Sequence, residues 1–410
     1  MRTFDITIIG AGAVGSCLAY ALSKIGFSVA LIEKTAVSAE QQPAFDERHL
    51  GFSRSTKVAL QGLGLWQAMS AQAVDVSRIH VSSKGQFGSV VLDAEDEGLE
   101  SLGYVLSARE IGRVLHEAIA QCENIHVYAP AKLVSATVSK QSAVIELQHD
   151  GKSLTLETDL LVGADGAQSQ VRELFDIGVT RWEYEQSAVI ANLDVNSLPT
   201  GIAYERFIKD GAIALLPRST SGYAAVCSVV DAEADRLMAM SDDDFVSYMQ
   251  SNMGGRLSRI TAVGQRYRFP LALVRAKEAV RDRLVLIGNA AHYIHPVAAQ
   301  GFNLSMRDVA ALVEVLGKAR AEGIQPGSLQ ILEDYAQWRK QDEHIMVAFT
   351  DSLIRLFGNP LLPIAMFRQK GLLALRYMTP LRKLFTHAVT GRLGRQAALM
   401  RGVALSSDTQ

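Results

Sequence analysis

Short apolar runs and helical repeats alternate along the first part of the chain. Phe4 to Ile9 reads as a buried strand, and Ser28 to Ile32 as a second. Between them, Gly10-Ala-Gly12-Ala-Val-Gly15 leads into an apolar helix that runs to about Ile25 and stops at Gly26. Leu160, Leu161 and Val162 form another strand, ending in Gly163-Ala-Asp165-Gly166 before a helix that opens near Gln168. Arg283 to Ile287 repeats the pattern, ending in Gly288-Asn289-Ala-Ala-His292, and an amphipathic helix is predicted from about Leu304 to Ala321. The middle of the chain alternates instead. Ser187 to Asp194, Ile202 to Ile208, Ala212 to Pro217 and Tyr223 to Val230 predict an antiparallel sheet, followed by a helix from Asp242 to Met253.

Composition narrows the class. Of 410 residues, 48% are hydrophobic and 20% charged, which excludes disorder and fits two or three domains with a sizeable core. A net charge of −2 gives no basic field for nucleic acid. Cys17, Cys122 and Cys227 are far apart and make neither a disulfide framework nor a CxxC site, so a reducing, cytoplasmic setting is expected. Ile6 to Ser23 carries no charge and is long enough to imitate a signal or a membrane span. Its three glycines, and the Asp5 and Lys24 that bracket it, favour a turn between strand and helix.

That turn is the first piece of chemistry. Gly10 permits a tight bend, Gly12 lets a pyrophosphate approach the backbone, and Gly15 lets helix and strand pack closely. The helix start then offers free N–H groups to phosphate. Glu33 closes the second strand, where a carboxylate can accept from ribose hydroxyls. A dinucleotide site follows, FAD or NAD being equally compatible with the turn alone. Asp165 reads either as part of that site or as an Asx turn capping the next helix, and Asn303 as a cap of the Leu304 helix. Hydrolytic signatures such as GxSxG and HExxH are missing, and His292 with His295 lacks a third metal ligand nearby in sequence, so no metal site is expected.

Taken in order, these three segments resemble the class A flavoprotein monooxygenases, the aromatic hydroxylases related to p-hydroxybenzoate hydroxylase. Within that family the chain is most similar to the ubiquinone-biosynthesis hydroxylases, through Phe45-Asp-Glu-Arg48, Leu102-Gly-Tyr-Val105, Tyr184 to Asn192, Glu205-Arg-Phe207, Leu215-Leu-Pro217 and the stretch from Gly288 through Gln300-Gly301-Phe-Asn303 to Asp308. The resemblance implies an α/β fold, in which a Rossmann-like FAD-binding domain of the p-hydroxybenzoate hydroxylase (GR2) type is joined to an antiparallel-sheet substrate domain and a helical C-terminus. The implied boundaries are 1–75, 101–175 and 276–345 for the FAD domain, 76–100 and 176–275 for the substrate domain, and 346–410 for the C-terminal region.

The resemblance also implies FAD held by Gly10, Gly12, Gly15, Glu33, Asp165, Gly288, Asn289, Pro296, Gly301 and Asn303, with Arg48 and Arg109 reaching its phosphate or ribose. The bland reading of those two arginines is a surface salt bridge with Glu47 or Glu110. NAD(P)H or another reductant would supply electrons, O2 the oxygen, and a polyprenylated phenol the ring. No side chain is then assigned a catalytic role, since the flavin carries the reaction. Asn289 stands where the wider family has Asp, as it does in the ubiquinone hydroxylases, and Ala299 replaces a usual Gly. Alternatives on the same fold are a hydroxylase of another aromatic, a prenyl-chain reductase, or a non-catalytic prenyl- or lipid-binding protein.

The end of the chain changes composition. Asp351 to Arg401 holds nine basic residues and one acid, giving +8 and leaving −10 for the remainder of the −2 total. Leucines, Phe357, Met366, Phe367, Met378 and Phe385 interleave with those charges. Such a segment suits an anionic membrane surface on the cytoplasmic side, or else a helical cap whose arginines snorkel. Pro360, Pro363 and Pro380 are expected to interrupt it. An assembly with other quinone-pathway enzymes is a further implication of the family alone.

Overall fold

The computed structural model describes residues 2–36, 48–85, 88–197, 201–209, 211–218, 222–294, 300–358, 370–371 and 374–405, excepting the side chains of 353–358. Phe45 to Glu47, His295, Pro296, Ala299, Pro360, Pro363 and Arg368 lie outside that set.

The continuous apolar runs become the centre of an eight-stranded sheet. Leu284–Leu286, Lys152–Gly163, Arg2–Ile9, Val29–Ile32 and Ile125–Tyr128 lie side by side in that order, all parallel. Parallel strands are covered on both faces, which is why Ile8 and Ile9, Leu31 and Ile32, and Leu160, Leu161 and Val162 are buried in succession rather than alternately. Ala131–Val138 and Ala143–His149 extend the sheet as an antiparallel meander. Helices Ala13–Lys24, Ala108–Ala120 and Gln300–Ala321 cover one face, with Leu18, Leu22, Leu115, Val309 and Leu312 in one core. The uncharged stretch from Ile6 to Ser23 is therefore a strand, a turn and a buried helix.

The alternating runs form a nine-stranded sheet. The four runs predicted as an antiparallel sheet pair antiparallel, and so do the other pairs apart from Ile202–Ile208 against Arg78–Ser83, which run parallel. The parallel pair arises because Arg78–Ser83 enters from far upstream in the chain rather than through a hairpin. Alternation sorts the side chains by face. Val189, Ile213, Leu215, Cys227 and Val229 point one way, onto Phe245 and Met249 of the predicted Asp242–Met253 helix. The opposite face is turned toward a large cavity. A small sheet of His49–Ser53, Gly103–Ser107 and Val74–Val76 stands between the two larger ones.

Three local expectations change. The helix predicted from Leu304 starts at Gln300, because Asn303 spends its side chain on neighbouring segments instead of capping. A boundary at 345/346 falls inside one continuous helix, Leu329–Gly358, where no Gly or Pro breaks the repeat. Pro380 opens the Thr379–Val389 helix rather than interrupting it, since a first-turn residue needs no donor N–H. No described helix is long and apolar enough to cross a membrane.

Candidate functional site

A cavity of about 1400 Å³ runs between the two large sheets and under the C-terminal helices. Gly10, Gly12, Glu33, Arg48, Asp165, Asn289, Gly301 and Asn303 all line it. Segments more than 250 residues apart in sequence thus meet at one wall.

The glycine turn is built as its spacing required. Gly10 has φ +103°, and a Cβ there would lie 2.6 Å from the Ala164 carbonyl oxygen. A Cβ on Gly15 would overlap the carbonyl oxygen of Gly10, so helix and turn touch backbone to backbone. Gly10 N–H donates to Ile32 O at 2.8 Å and Ala164 N–H to Ile9 O at 2.8 Å, which stitches the Gly163–Gly166 segment to the turn. The Ala13–Lys24 helix begins at Gly12 with no side-chain cap, leaving its first N–H groups for an anion.

Glu33 is oriented from both sides. Its Oε2 accepts from Ala11 N–H at 2.9 Å, while Oε1 accepts from the Thr35 N–H and hydroxyl at 3.1 and 3.0 Å. Asp165 divides its two oxygens. Oδ2 accepts from Val171 N–H at 3.0 Å, the capping contact expected of an Asx turn. Oδ1 is buried, lines the cavity side and has no partner, an unmet acceptor of the kind a ligand hydroxyl or N–H would satisfy.

The third segment is fastened from behind. Asp308 Oδ2 accepts from Gly288 N–H at 2.9 Å and pairs with His292 Nε2 at 2.7 Å. Arg339 Nε reaches Asp308 Oδ1 at 2.7 Å and its Nη1 reaches Asp342 at 2.5 Å, and Arg307 meets Asp342 at 3.0 Å. Burial opposes charge on His292, but the Asp308 carboxylate outweighs it and holds its pKa above the ordinary value. Asn289 is left exposed toward the cavity. Asn303 accepts from Ser53 N–H and the Thr56 hydroxyl at 2.8 and 2.7 Å, and donates to Gly51 O at 3.0 Å, locking the Gln300–Ala321 helix to the His49–Ser53 strand. The helix start then faces the cavity through Gln300, Gly301 and Phe302.

Arg48 lies at the cavity with its guanidinium 5.2 Å from the Phe269 ring centre. Arg109 does not join it. Ala108 lines the cavity, and one helical step further turns Arg109 to solvent, while Glu110 pairs with Arg113. Gly288 (φ +59°) and Gly15 are buried just behind the wall. Among the described residues no group of His, Cys, Asp or Glu could hold a metal.

Sequence reasoning missed two features. The Asp308–Arg339–Asp342 cluster gives no local signal, because its members meet only when the Gln300–Ala321 and Leu329–Gly358 helices pack. Glu205 gives a faint one. It stands between Ala203 and Phe207 at an inward position of an alternating strand, where an apolar residue belongs. It is half-buried, faces the cavity, and burial raises its pKa to about 7.

A dinucleotide fits one end of this cavity: a glycine cradle closed to any Cβ, uncapped helix N–H groups, an oriented carboxylate and an orphaned buried acceptor. The other end is apolar, with Ile190, Val226, Leu271, Phe349, Leu375 and Phe385 on its walls. Comparison with known proteins agrees. The family described as "FAD binding domain" matches residues 3–350. Ubiquinone hydroxylase UbiL of Rhodospirillum rubrum is 32% identical over 407 residues, covering 98% of this chain and 94% of that protein. The 3-demethoxyubiquinol 3-hydroxylase of Escherichia coli is 32% identical over 373 residues, covering 90% and 94%. In structure, p-nitrophenol 4-monooxygenase of Pseudomonas putida superposes with a TM-score of 0.80 at 17% identity, over 97% of this chain and 100% of that one.

Proposed function

The chain belongs to the FAD-binding-domain family, among the FAD-dependent monooxygenases of the ubiquinone-hydroxylase group, and on that premise we propose that it hydroxylates the ring of a polyprenylated phenol on the way to ubiquinone. The substrate is 2-polyprenyl-6-methoxyphenol or a close relative. The observation that carries this reading is the two-ended cavity. Residues of the glycine turn with Glu33 and Asp165 line one part of it, and Ile190, Val226, Leu271, Phe349, Leu375 and Phe385 make another part apolar, which supports a dinucleotide beside an apolar substrate.

FAD would lie along Gly10, Gly12 and the start of the Ala13–Lys24 helix, its ribose on Glu33, with Asp165, Asn289 and Gly301 beside the rest of the molecule. When bound, FAD supplies the redox and O2 chemistry that side chains lack, drawing electrons from NAD(P)H or another reductant. The chain's own residues do the rest. The amino end of the Gln300–Ala321 helix favours negative charge where Gly301 meets the cavity. Asp308 holds Gly288 and, through it, the exposed Asn289. The apolar sheet face and the C-terminal helices keep water from the ring.

The cavity opens where the substrate would enter. Leu381 and Leu384 line it, yet are 38% and 55% exposed. Tyr377 and Met378, 73% and 55% exposed, continue the apolar surface beside exposed Arg376 and Lys383. Such a face fits an anionic membrane, from which a prenyl chain passes directly into the cavity.

The test is mass spectrometry of quinone intermediates in cells lacking this protein. Ubiquinone is expected to fall, an under-hydroxylated prenylphenol to accumulate, and this chain to restore both. Unchanged ubiquinone in cells with no second hydroxylase would move the substrate elsewhere.

A further inference from the structure

Among the described residues of the nine-stranded sheet that line the cavity, Glu205 brings the one carboxyl. Across the sheet the inward positions are Ile79 and Val81, Ala203 and Phe207, Ala214 and Leu216, Ala224 and Val226, Ala188 and Ile190, and Phe269 and Leu271, with Glu205 in their midst. Glu205 pairs in register with Val81 on one side and Ala214 on the other, neither of which can bond to it. The helices opposite offer Leu375 and Phe385. The carboxyl makes no hydrogen bond or ion pair with any described residue, whereas its neighbours in sequence are satisfied on the far face. Tyr204 donates to Arg256 O at 3.0 Å, and Arg206 to Asn252 O at 2.6 Å. Other titratable groups of the lining are Tyr204, next to Glu205 on the same strand, and Glu33, Lys34, Arg48, His49, Tyr104, Asp165 and Tyr293, which come from the glycine turn, the small sheet, the Gly163–Gly166 turn and the short His292–Tyr293 strand. A lone acid kept on an apolar wall costs stability, and such violations concentrate where function needs them.

Resting on the proposed hydroxylation, we infer that Glu205 receives the phenol hydroxyl of the ring: its carboxylate accepts the O–H hydrogen bond and then the proton. The ring's π pair forms the new C–O bond to the hydroxyl oxygen of a hydroperoxide-level oxidant, made from O2 and the reductant's two electrons. The O–O bond breaks, and its electron pair leaves on the second oxygen. The phenol O–H bond breaks, its electron pair becomes the C=O of a dienone, and its proton passes to Glu205. The dienone oxygen takes that proton back. The C–H proton leaves the oxygenated carbon for the oxygen that departed with the O–O pair (which ends as water), and the dihydroxylated aromatic ring results. A base near neutrality suits this exchange, because the phenol turns acidic only as the ring gives up electrons. The same contact sets ring orientation, leaving the prenyl chain to the apolar end.

The experiment measures binding of 2-prenyl-6-methoxyphenol and of its methyl ether to the FAD-loaded protein between pH 5.5 and 8.5. The phenol's affinity should rise about tenfold or more through pH 7, as a charge-assisted acceptor forms, while that of the ether, which has no O–H to donate, stays flat. Glu205→Gln, nearly isosteric, should remove the pH dependence and the preference for phenol over ether. Glu205→Leu, which completes the apolar face and cannot strand a polar group, should do the same with flavin absorption unchanged. Wild-type affinity and pH profile in both variants would overturn the assignment and leave the hydroxylase reading standing. A wild type that binds neither compound would overturn both.

Discussion

His292 and Asp308 lie 2.7 Å apart, ring nitrogen to carboxylate oxygen, both almost wholly buried and 16 residues distant in sequence. The same oxygen takes the Gly288 N–H, so one carboxylate ties the end of a sheet strand to the middle of the Gln300–Ala321 helix. The segment that offers Asn289 to the cavity is positioned by a group that never reaches the cavity itself.

Asp308→Asn tests that link. The amide keeps the shape but removes the anion, leaving His292 and Arg339 without the charge they surround. Breaking a buried pair in this way costs about 3–5 kcal/mol. The urea midpoint should fall accordingly, and FAD should leave more readily on gel filtration. A shift below about 1 kcal/mol, within the range of surface substitutions, would show that the cluster is dispensable.

The pH dependence follows from the sign of the His292 shift. Its pKa is raised in the fold, so its contribution is complete below the ordinary value of about 6.5 and is lost as pH rises through the folded value. Burial lowers His80 and His116 instead, and their contribution is lost as pH falls through their folded values. The difference between wild type and His292→Gln isolates the pair. It should be largest near pH 6 and shrink toward pH 9 in paired denaturation curves. A gap that widens with pH would contradict the sign.

Glu33 serves two partners, the Ala11 N–H within the turn and the ribose expected beyond it. Glu33→Arg should weaken FAD retention by tenfold or more, since a cation replaces an acceptor and loses a charge-assisted bond worth about 1.5–3 kcal/mol. Glu33→Gln should lose less, because its amide oxygen can still accept from Ala11. Ultrafiltration with flavin absorbance reads both. Equal occupancy in wild type and Glu33→Arg would rule out a ribose role.

The membrane reading is best tested without truncation. Removing residues 351–410 would strip Leu375, Phe385 and Leu393 from the cavity wall and cut the Leu329–Gly358 helix, confusing docking with folding. Leu381→Asp with Leu384→Asp changes two cavity-lining side chains that are 38% and 55% exposed, and leaves Leu375, Phe385, Leu393 and the Leu329–Gly358 helix in place. Each leucine withdrawn from a membrane forfeits about 1.5–3 kcal/mol, so co-sedimentation with anionic vesicles should drop at least tenfold at an unchanged melting temperature. Equal pelleting would make this helix a cap alone.

Much was legible in the sequence because it is local. Continuous apolar runs predict strands buried on both faces, alternation predicts a one-sided sheet, and the positions of Gly10, Gly12 and Gly15 follow from what a backbone turn tolerates. These patterns predict the strands and the glycine turn, and their order along the chain carries the resemblance that implies the fold class and the cofactor. Tertiary structure decided the rest, because it depends on groups brought together from afar. Packing alone sets Asp308 against His292 and Arg339, commits Asn303 to Ser53 and Thr56 instead of a cap, and leaves Arg109 exposed while the adjacent Ala108 lines the cavity. The same holds for Glu205. As a residue it is one more charge in a strand; only the closing of the sheet over an apolar cavity leaves it half-buried among apolar neighbours, and that burial moves its proton affinity toward neutrality.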